Sequence, residues 1–259
     1  EDHLVGVPAN QMGAKEPQRT VFGVKRMIGR RFDDPILQND LQYFPYQVIN
    51  RNNVPYIAIQ NTTNDQCDHY TPHDVCAIIL TELKKVASLY AGHPISKAVI
   101  TVPANFNSLQ RNATKDAAKI AGLEVIRMLN EPTAAAFAYG YQSLQRQKSK
   151  QHFLIYDFGG GTLDVSIGIA DGGVFKILGT CGDTHLGGAD FDNVLVEYAL
   201  KQFHKQTGQD LTTNQRALRK LHVECEKAKC SLSSLPKTFV EVTFKGDEVV
   251  LGVTRVQFE

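Results

Sequence analysis

Cysteine is scarce in this chain, five in 259 residues. The set is odd and scattered (Cys67, Cys76, Cys181, Cys225, Cys230), which speaks against a disulfide framework and for reduced thiols. That favours a cytoplasmic location, although the endoplasmic reticulum or another organelle stays open. Long apolar runs are also missing: Val75 to Leu80 is far short of the roughly 20 residues that span a bilayer. No charged-then-apolar leader opens the chain, so no membrane element is expected. Neither sign of charge predominates, with 28 Lys+Arg against 27 Asp+Glu and a net charge of +1. No bulk field therefore draws the chain to nucleic acid or an anionic surface, and recognition has to be local. What is present is 42% hydrophobic residues, enough at this length for one large domain or two lobes with buried cores.

The patterning suggests two lobes. Residues 1 to about 70 are mixed, with strand-like pieces at Tyr46 to Ile49 and Tyr56 to Gln60 around the turn-rich Asn50 to Asn53. From Thr71, a cap followed by Pro72, a helix is predicted with Val75, Ile78, Ile79, Leu83 and Val86 on its apolar face, ending near Gly92. A strand (Ala98 to Val102), a helix (Ser108 to Ala121, stopped by Gly122) and a second strand (Val125 to Leu129) make a strand-helix-strand unit whose strands should pair in parallel. A short Ala-rich helix from Pro132 should stop at Gly140, and the polar QSLQRQKSKQH run (142–152) reads as a linker. Beyond Phe153, three runs joined by Gly159-Gly160-Gly161 and Asp171-Gly172-Gly173 predict antiparallel strands. Two helices follow, one with Phe191, Val194, Leu195, Tyr198 and Phe203 as its apolar face, then a hairpin turning at Lys245-Gly246-Asp247. The expected division is a first lobe at 1–146 (outer subdomain 1–71, core subdomain 72–146) and a second at 147–259 (core subdomain 147–186, outer subdomain 187–259).

The segment that points most directly to chemistry is DFGGGTLD, Asp157 to Asp164. Three successive glycines let backbone N–H groups approach an anion with no side chain in the way. Thr162 adds a hydroxyl, and Asp157 and Asp164 flank the loop with carboxylates able to hold hydrated Mg²⁺ or orient water. A glycine triplet alone is more often a plain hairpin turn. Its neighbours change that reading: ITVPANF (Ile100 to Phe106), NEPTAAAFAYG (Asn130 to Gly140), DFGGGTLDVS (Asp157 to Ser166) and GDTHLGGADFDN (Gly182 to Asn193) occur in that order. With TVFGVKRMIGR (Thr20 to Arg30) and ECEKAKCSLSS (Glu224 to Ser234), the chain resembles the nucleotide-binding domain of the 70-kDa heat-shock chaperones over essentially its whole length.

That resemblance implies an α/β actin-like fold, two lobes around a nucleotide cleft, with ATP or ADP, Mg²⁺ and K⁺ as ligands. It places Lys25 beside the γ-phosphate and attacking water. Glu131 and Asp157 would hold Mg²⁺ through water, and Thr162 and Asp164 the phosphate and the water or potassium ion. Gly159, Gly160 and Gly161 would offer the phosphate-binding loop, while Gly188, Glu226, Lys229 and Ser233 would line the adenosine pocket. Glu226, Lys229 and Ser233 are spaced to share a helix face. Pro103 and Arg111 would couple nucleotide state to a peptide-binding domain. Implied partners are unfolded or peptide clients, J-domain co-chaperones and nucleotide exchange factors, with no nucleic acid and no membrane.

Plainer readings accompany several of these. Lys25, Arg26, Arg30 and Arg31 alone would be a solvated basic surface, and Glu131 a helix-terminal acid favoured by the macrodipole. The chain also departs from the family pattern. Cys230 stands where an adenine-stacking arginine is usual, which would weaken adenine binding. Asn105 replaces a tyrosine, which puts interdomain coupling in doubt, and Ala189 replaces an acid, which does the same for a contact between lobes. The family's first phosphate hairpin and last adenosine glycines are not in this sequence, so the chain alone is expected to hydrolyse ATP poorly or not at all and to present an open sheet edge. A non-hydrolysing, nucleotide-gated regulatory or exchange-type relative is the alternative, and a sugar or acid kinase of the same fold a third. Cys67, His69, His73 and Cys76 fit no standard zinc spacing, with Pro72 starting a helix among them. His222, Cys225 and Cys230 read as packing and surface residues.

Overall fold

The computed structural model describes residues 3–61, 66–144, 150–171 and 174–259. Helices α1 (Val7–Met12) and α2 (Pro35–Asp40) precede a three-stranded antiparallel sheet of β1 (Gln47–Arg51), β2 (Val54–Gln60) and β3 (Cys67–Tyr70). The β1–β2 turn falls at Asn52 and Asn53, both at positive φ, the conformation asparagine tolerates best after glycine. Helix α3 (Pro72–Ala91) starts as the sequence predicts: Thr71 and Asp74 form a reciprocal capping box, with Pro72 in the first turn. Its apolar face is not buried as expected. Val75 packs against the cluster of Val24, Met27, Leu37, Tyr46 and Ile57, whereas Ile79, Leu83 and Val86 are exposed.

Strand β4 (Lys97–Val102), helix α4 (Ser108–Ile120) and strand β5 (Glu124–Asn130) form the predicted unit, with β4 and β5 parallel. Helix α5 (Glu131–Leu144) runs past Gly140, correcting the predicted stop. A Cβ at Gly140 would lie 2.0 Å from Phe175 Cζ, so this glycine admits an aromatic ring against the helix and does not end it. Some of the predicted linker therefore belongs to α5, and residues 145–149 of it lie outside the described residues.

Strands β6 (Gln151–Phe158), β7 (Leu163–Asp171) and β8 (Val174–Asp183) make an antiparallel sheet in that order; the Gly172-Gly173 turn expected between β7 and β8 is outside the described residues. α5 lies against this sheet, where Phe137, Phe175 and Phe153 meet ring to ring. Helices α6 (Gly188–Thr207) and α7 (Gln215–Leu232) pack with the hairpin β9 (Lys237–Phe244) and β10 (Asp247–Thr254) and the short α8 (Arg255–Phe258). On α6 the buried stripe is Leu195, Val196, Ala199 and Phe203, with Phe191 and Val194 exposed, a rotation from the predicted face.

On α7, burial and the neighbouring Arg219 push the His222 imidazole down from 6.5 to about 4. The unfolded chain then binds more protons than the native one between pH 6.5 and about 4, so stability is lost as pH falls through that window. His222→Gln is expected to remove a component on the order of 2 to 3 kcal/mol of that loss. Urea unfolding at pH 7.5 and pH 4.5 checks it, and equal pH dependence in both proteins would count against the assignment.

Candidate functional site

Lys25 sits in a single 3-10 turn, Val24–Arg26, whose flanks are anchored twice. Val24 and Met27 enter the cluster with Leu37, Tyr46 and Ile57, while Ile28 enters a second cluster with Val102, Phe106 and Ala113. The backbone of the turn is thereby pinned, and Lys25 projects from it to Glu131, its Nζ 3.0 and 3.3 Å from the two carboxylate oxygens. Glu131 is the first residue of α5, directly after β5, so the helix N-terminus favours its charge as well.

The phosphate-type hairpin joins β6 and β7. Asp157 and Asp164 are direct cross-strand partners, and opposite residues of an antiparallel pair share a sheet face. Two acids are thus held side by side, with Asp164 only 2% exposed. Burial raises the Asp164 pKa above the usual carboxylate value, Glu131 and Asp157 add like charge, and the Ala104 N–H and Lys25 oppose the rise. The hairpin closes through Gly159 N–H to Thr162 O at 3.0 Å. Gly188 N–H and Ala189 N–H, at the start of α6, donate to Gly159 O and Gly160 O at 3.0 and 2.9 Å. Among the described residues nothing accepts a hydrogen bond from Gly160 N–H or Gly161 N–H. Two adjacent free amides beside an acid pair suit a metal-bound oxyanion.

A continuous set of contacts joins this hairpin to Lys25. Asn105 Nδ2 donates to Asp164 Oδ1 at 3.3 Å. Arg111 fixes the segment that carries Asn105, its guanidinium reaching Ala104 O (3.0 Å), Phe106 O (2.9 Å) and, at 3.4 Å, Pro103 O. The same guanidinium donates to Asn130 Oδ1 at 2.9 Å, and Asn130 precedes Glu131. Pro103 and Arg111, singled out as a pair from the sequence, are in contact, and they link Asp164 to Glu131.

The adenosine-side residues converge less. Lys229 Nζ donates to Gly188 O at 2.9 Å and pairs with Asp192 at 2.7 Å, tying α7 to the start of α6. Glu226 and Ser233 are exposed on the α7 side, and Cys230 is exposed beside them. Ser233 lies just past the helix end, so the three residues share a side but not one uninterrupted helix face. Among the described residues no three His, Cys, Asp or Glu side chains converge as direct metal ligands. Asp157 and Glu131, both close enough to act on Asp164, fit with it the looser requirement of a hydrated cation: several oxygens around water.

Sequence reasoning missed a second constellation. Arg26, read as surface charge, has a side chain only 10% exposed and makes a two-pronged contact to Asp190 at 2.9 and 2.5 Å. Asp40, His185 and Gly187 belong to the same cluster. Its signal was in plain view, since His185, Gly187 and Asp190 all lie in GDTHLGGADFDN. Ala189, expected to weaken a contact between lobes, donates its own N–H to the hairpin, and the neighbouring Asp190 makes the ionic contact.

The Hsp70 protein family model matches residues 1–259. A ribosome-associated molecular chaperone of Eremothecium gossypii is 46% identical over all of the chain and 42% of its own length. A heat shock 70 kDa protein of Neurospora crassa is 45% identical over all of the chain and 40% of its own, and a ribosome-associated molecular chaperone of Saccharomyces cerevisiae is 45% identical over all of the chain and 42% of its own. The chain thus spans about two-fifths of the length of these relatives.

Proposed function

Because the chain belongs to the Hsp70 family, whose fold is the actin-like α/β fold, we propose that it is the nucleotide-binding portion of a chaperone ATPase. Residues 1–146 and 147–259 would form its two lobes. In this reading the Gly160 and Gly161 amides hold the phosphates of ATP or ADP, and Gly188, Glu226, Lys229 and Ser233 face the adenosine. Asp157 and Glu131 would hold Mg²⁺ through water, and such an ion would supply positive charge against the phosphates. Thr162 and Asp164 orient the attacking water or a K⁺ ion, and Lys25 stabilises charge developing on the γ-phosphate as water replaces ADP on phosphorus. The observation that carries the reading is the pairing of free glycine amides with a like-charged acid pair, Asp164 of it buried, that Lys25 and Glu131 face.

Coupling follows from the same contacts. A cation drawn to Asp164 would compete with the Ala104 N–H and Asn105 for its oxygens, and Arg111, bonded to Ala104 O and Pro103 O, would carry that change to Pro103, so peptide clients bound elsewhere in the protein would sense nucleotide state. J-domain co-chaperones and exchange factors are the proposed partners. Two of the relatives are ribosome-associated chaperones, which makes nascent chains candidate clients. Among the described residues no helix is long and apolar enough to cross a membrane, and the proposed setting is the cytoplasm. A non-hydrolysing relative is the reading to set against this one, on the strength of Cys230 exposed on the adenosine side. Calorimetric titration of ATP and ADP with Mg²⁺ tests nucleotide binding, and a single-turnover assay separates binding from hydrolysis.

A further inference from the structure

We infer that Arg26 is a positioning residue: clamped by Asp190, Asp40 and His185, it fixes Lys25 over the phosphate hairpin and latches the two proposed lobes together. The inference rests on the nucleotide-binding reading above and assigns a role to residues outside that site.

The geometry is specific. Arg26 follows Lys25 in a turn held by two buried clusters, so a force on one is felt by the other. Its guanidinium grips both oxygens of Asp190, in the first turn of α6, at 2.9 and 2.5 Å. Asp190 in turn accepts the Gly187 N–H at 2.8 Å. Gly187 is pressed against the hairpin so closely that a Cβ there would lie 2.3 Å from Gly161 N. A Cβ on Gly161 would itself lie 3.5 Å from Arg26 Nε, so the guanidinium also borders the loop directly. Arg26 is therefore part of the Lys25 turn, bonds the α6 terminus and borders the glycine loop, the elements that must be in register for phosphate chemistry.

Asp40 and His185 make the clamp double. Asp40 lies at the end of α2, its side chain 3% exposed, and meets His185 Nε2 at 2.6 Å and Arg26 Nη1 at 3.4 Å. His185 Nε2 also lies 3.2 Å from Arg26 Nη1. Arg26 and Asp40 come from the proposed first lobe, His185 and Asp190 from the second, so the contacts that the first pair makes with the second join the two lobes. Asp40 Oδ2 is buried without a hydrogen-bond partner among the described residues. An ionic cluster built on the nearly buried Arg26 and Asp40, with a spare carboxylate oxygen, is a poor way to gain stability, because desolvation offsets most of its attraction. It is a good way to make a contact that is either fully formed or broken, since water entering a parted clamp solvates Arg26 and Asp40 together.

The test uses Arg26→Met, Asp190→Asn and the double variant in the protein that carries this chain, with single-turnover ATP hydrolysis and ATP affinity measured separately. Each single variant is expected to slow hydrolysis at least tenfold while ATP affinity changes less than threefold, because the phosphate amides and adenosine contacts are untouched. Both substitutions break the same contact, so the double variant should be no slower than the worse single one. Asp190→Asn serves where Arg26→Met fails to fold. Wild-type rates in either soluble variant, or losses that multiply in the double, would overturn the latch. An unsubstituted protein that binds no ATP would instead overturn the nucleotide reading on which it rests.

Discussion

Lys25→Ala is expected to lower single-turnover ATP hydrolysis by about 10² to 10³, the usual cost of removing one donor aimed at developing charge. Lys25 Nζ faces the acid cluster: it holds Glu131 through both carboxylate oxygens and lowers the pKa of Asp164 against the pull of burial. Its side chain is half exposed, so the loss should appear in the chemical step and not in stability. ATP affinity should stay within about threefold, since the hairpin amides and the α7 side are unchanged. An unaltered single-turnover rate would remove Lys25 from the mechanism.

Gly187→Ala is expected to abolish nucleotide binding at the hairpin, or weaken it by at least about 100-fold, roughly 2.7 kcal/mol. The new Cβ would fall 2.3 Å from Gly161 N and 2.5 Å from Gly160 C, all backbone that cannot swing aside as a side chain does. Either the loop shifts and its two free amides lose their aim, or α6 backs away and the Gly188 and Ala189 N–H bonds to Gly159 O and Gly160 O break. Overpacking of this kind also costs about 1 to 3 kcal/mol of stability. Gly208→Ala is the control for an added methyl in open space, at positive φ, where backbone strain lowers stability without touching the loop. Wild-type nucleotide affinity in Gly187→Ala would mean that the hairpin is not the phosphate site.

Much of the local structure was legible because the signals are chemical and short-range. Thr71, Pro72 and Asp74 cap a helix wherever it packs, and β4 and β5 pair in parallel because a helix separates them. The errors lie where tertiary contact decides. Gly140 resembles a helix stop until Phe175 is seen to need the space, and the exposed Ile79, Leu83 and Val86 resemble a buried face because periodicity marks a stripe without saying what covers it. The candidate site divides the same way. Asp157, Asp164 and the glycines are contiguous in sequence, and their cross-strand pairing follows from the hairpin. Arg26 with Asp190 is separated by more than half the chain, and a basic residue beside Lys25 looks like solvated charge until its partner is found.

Calorimetric titration of ADP and of adenosine, each with and without Mg²⁺, tests most directly whether the Gly159 to Thr162 hairpin and its acids form a phosphate site. The expected result is one ADP site strengthened by Mg²⁺, with adenosine bound at least about 100-fold more weakly because it offers nothing to the Gly160 and Gly161 amides. Absence of ADP binding, or adenosine binding as tightly as ADP with no effect of Mg²⁺, would contradict it.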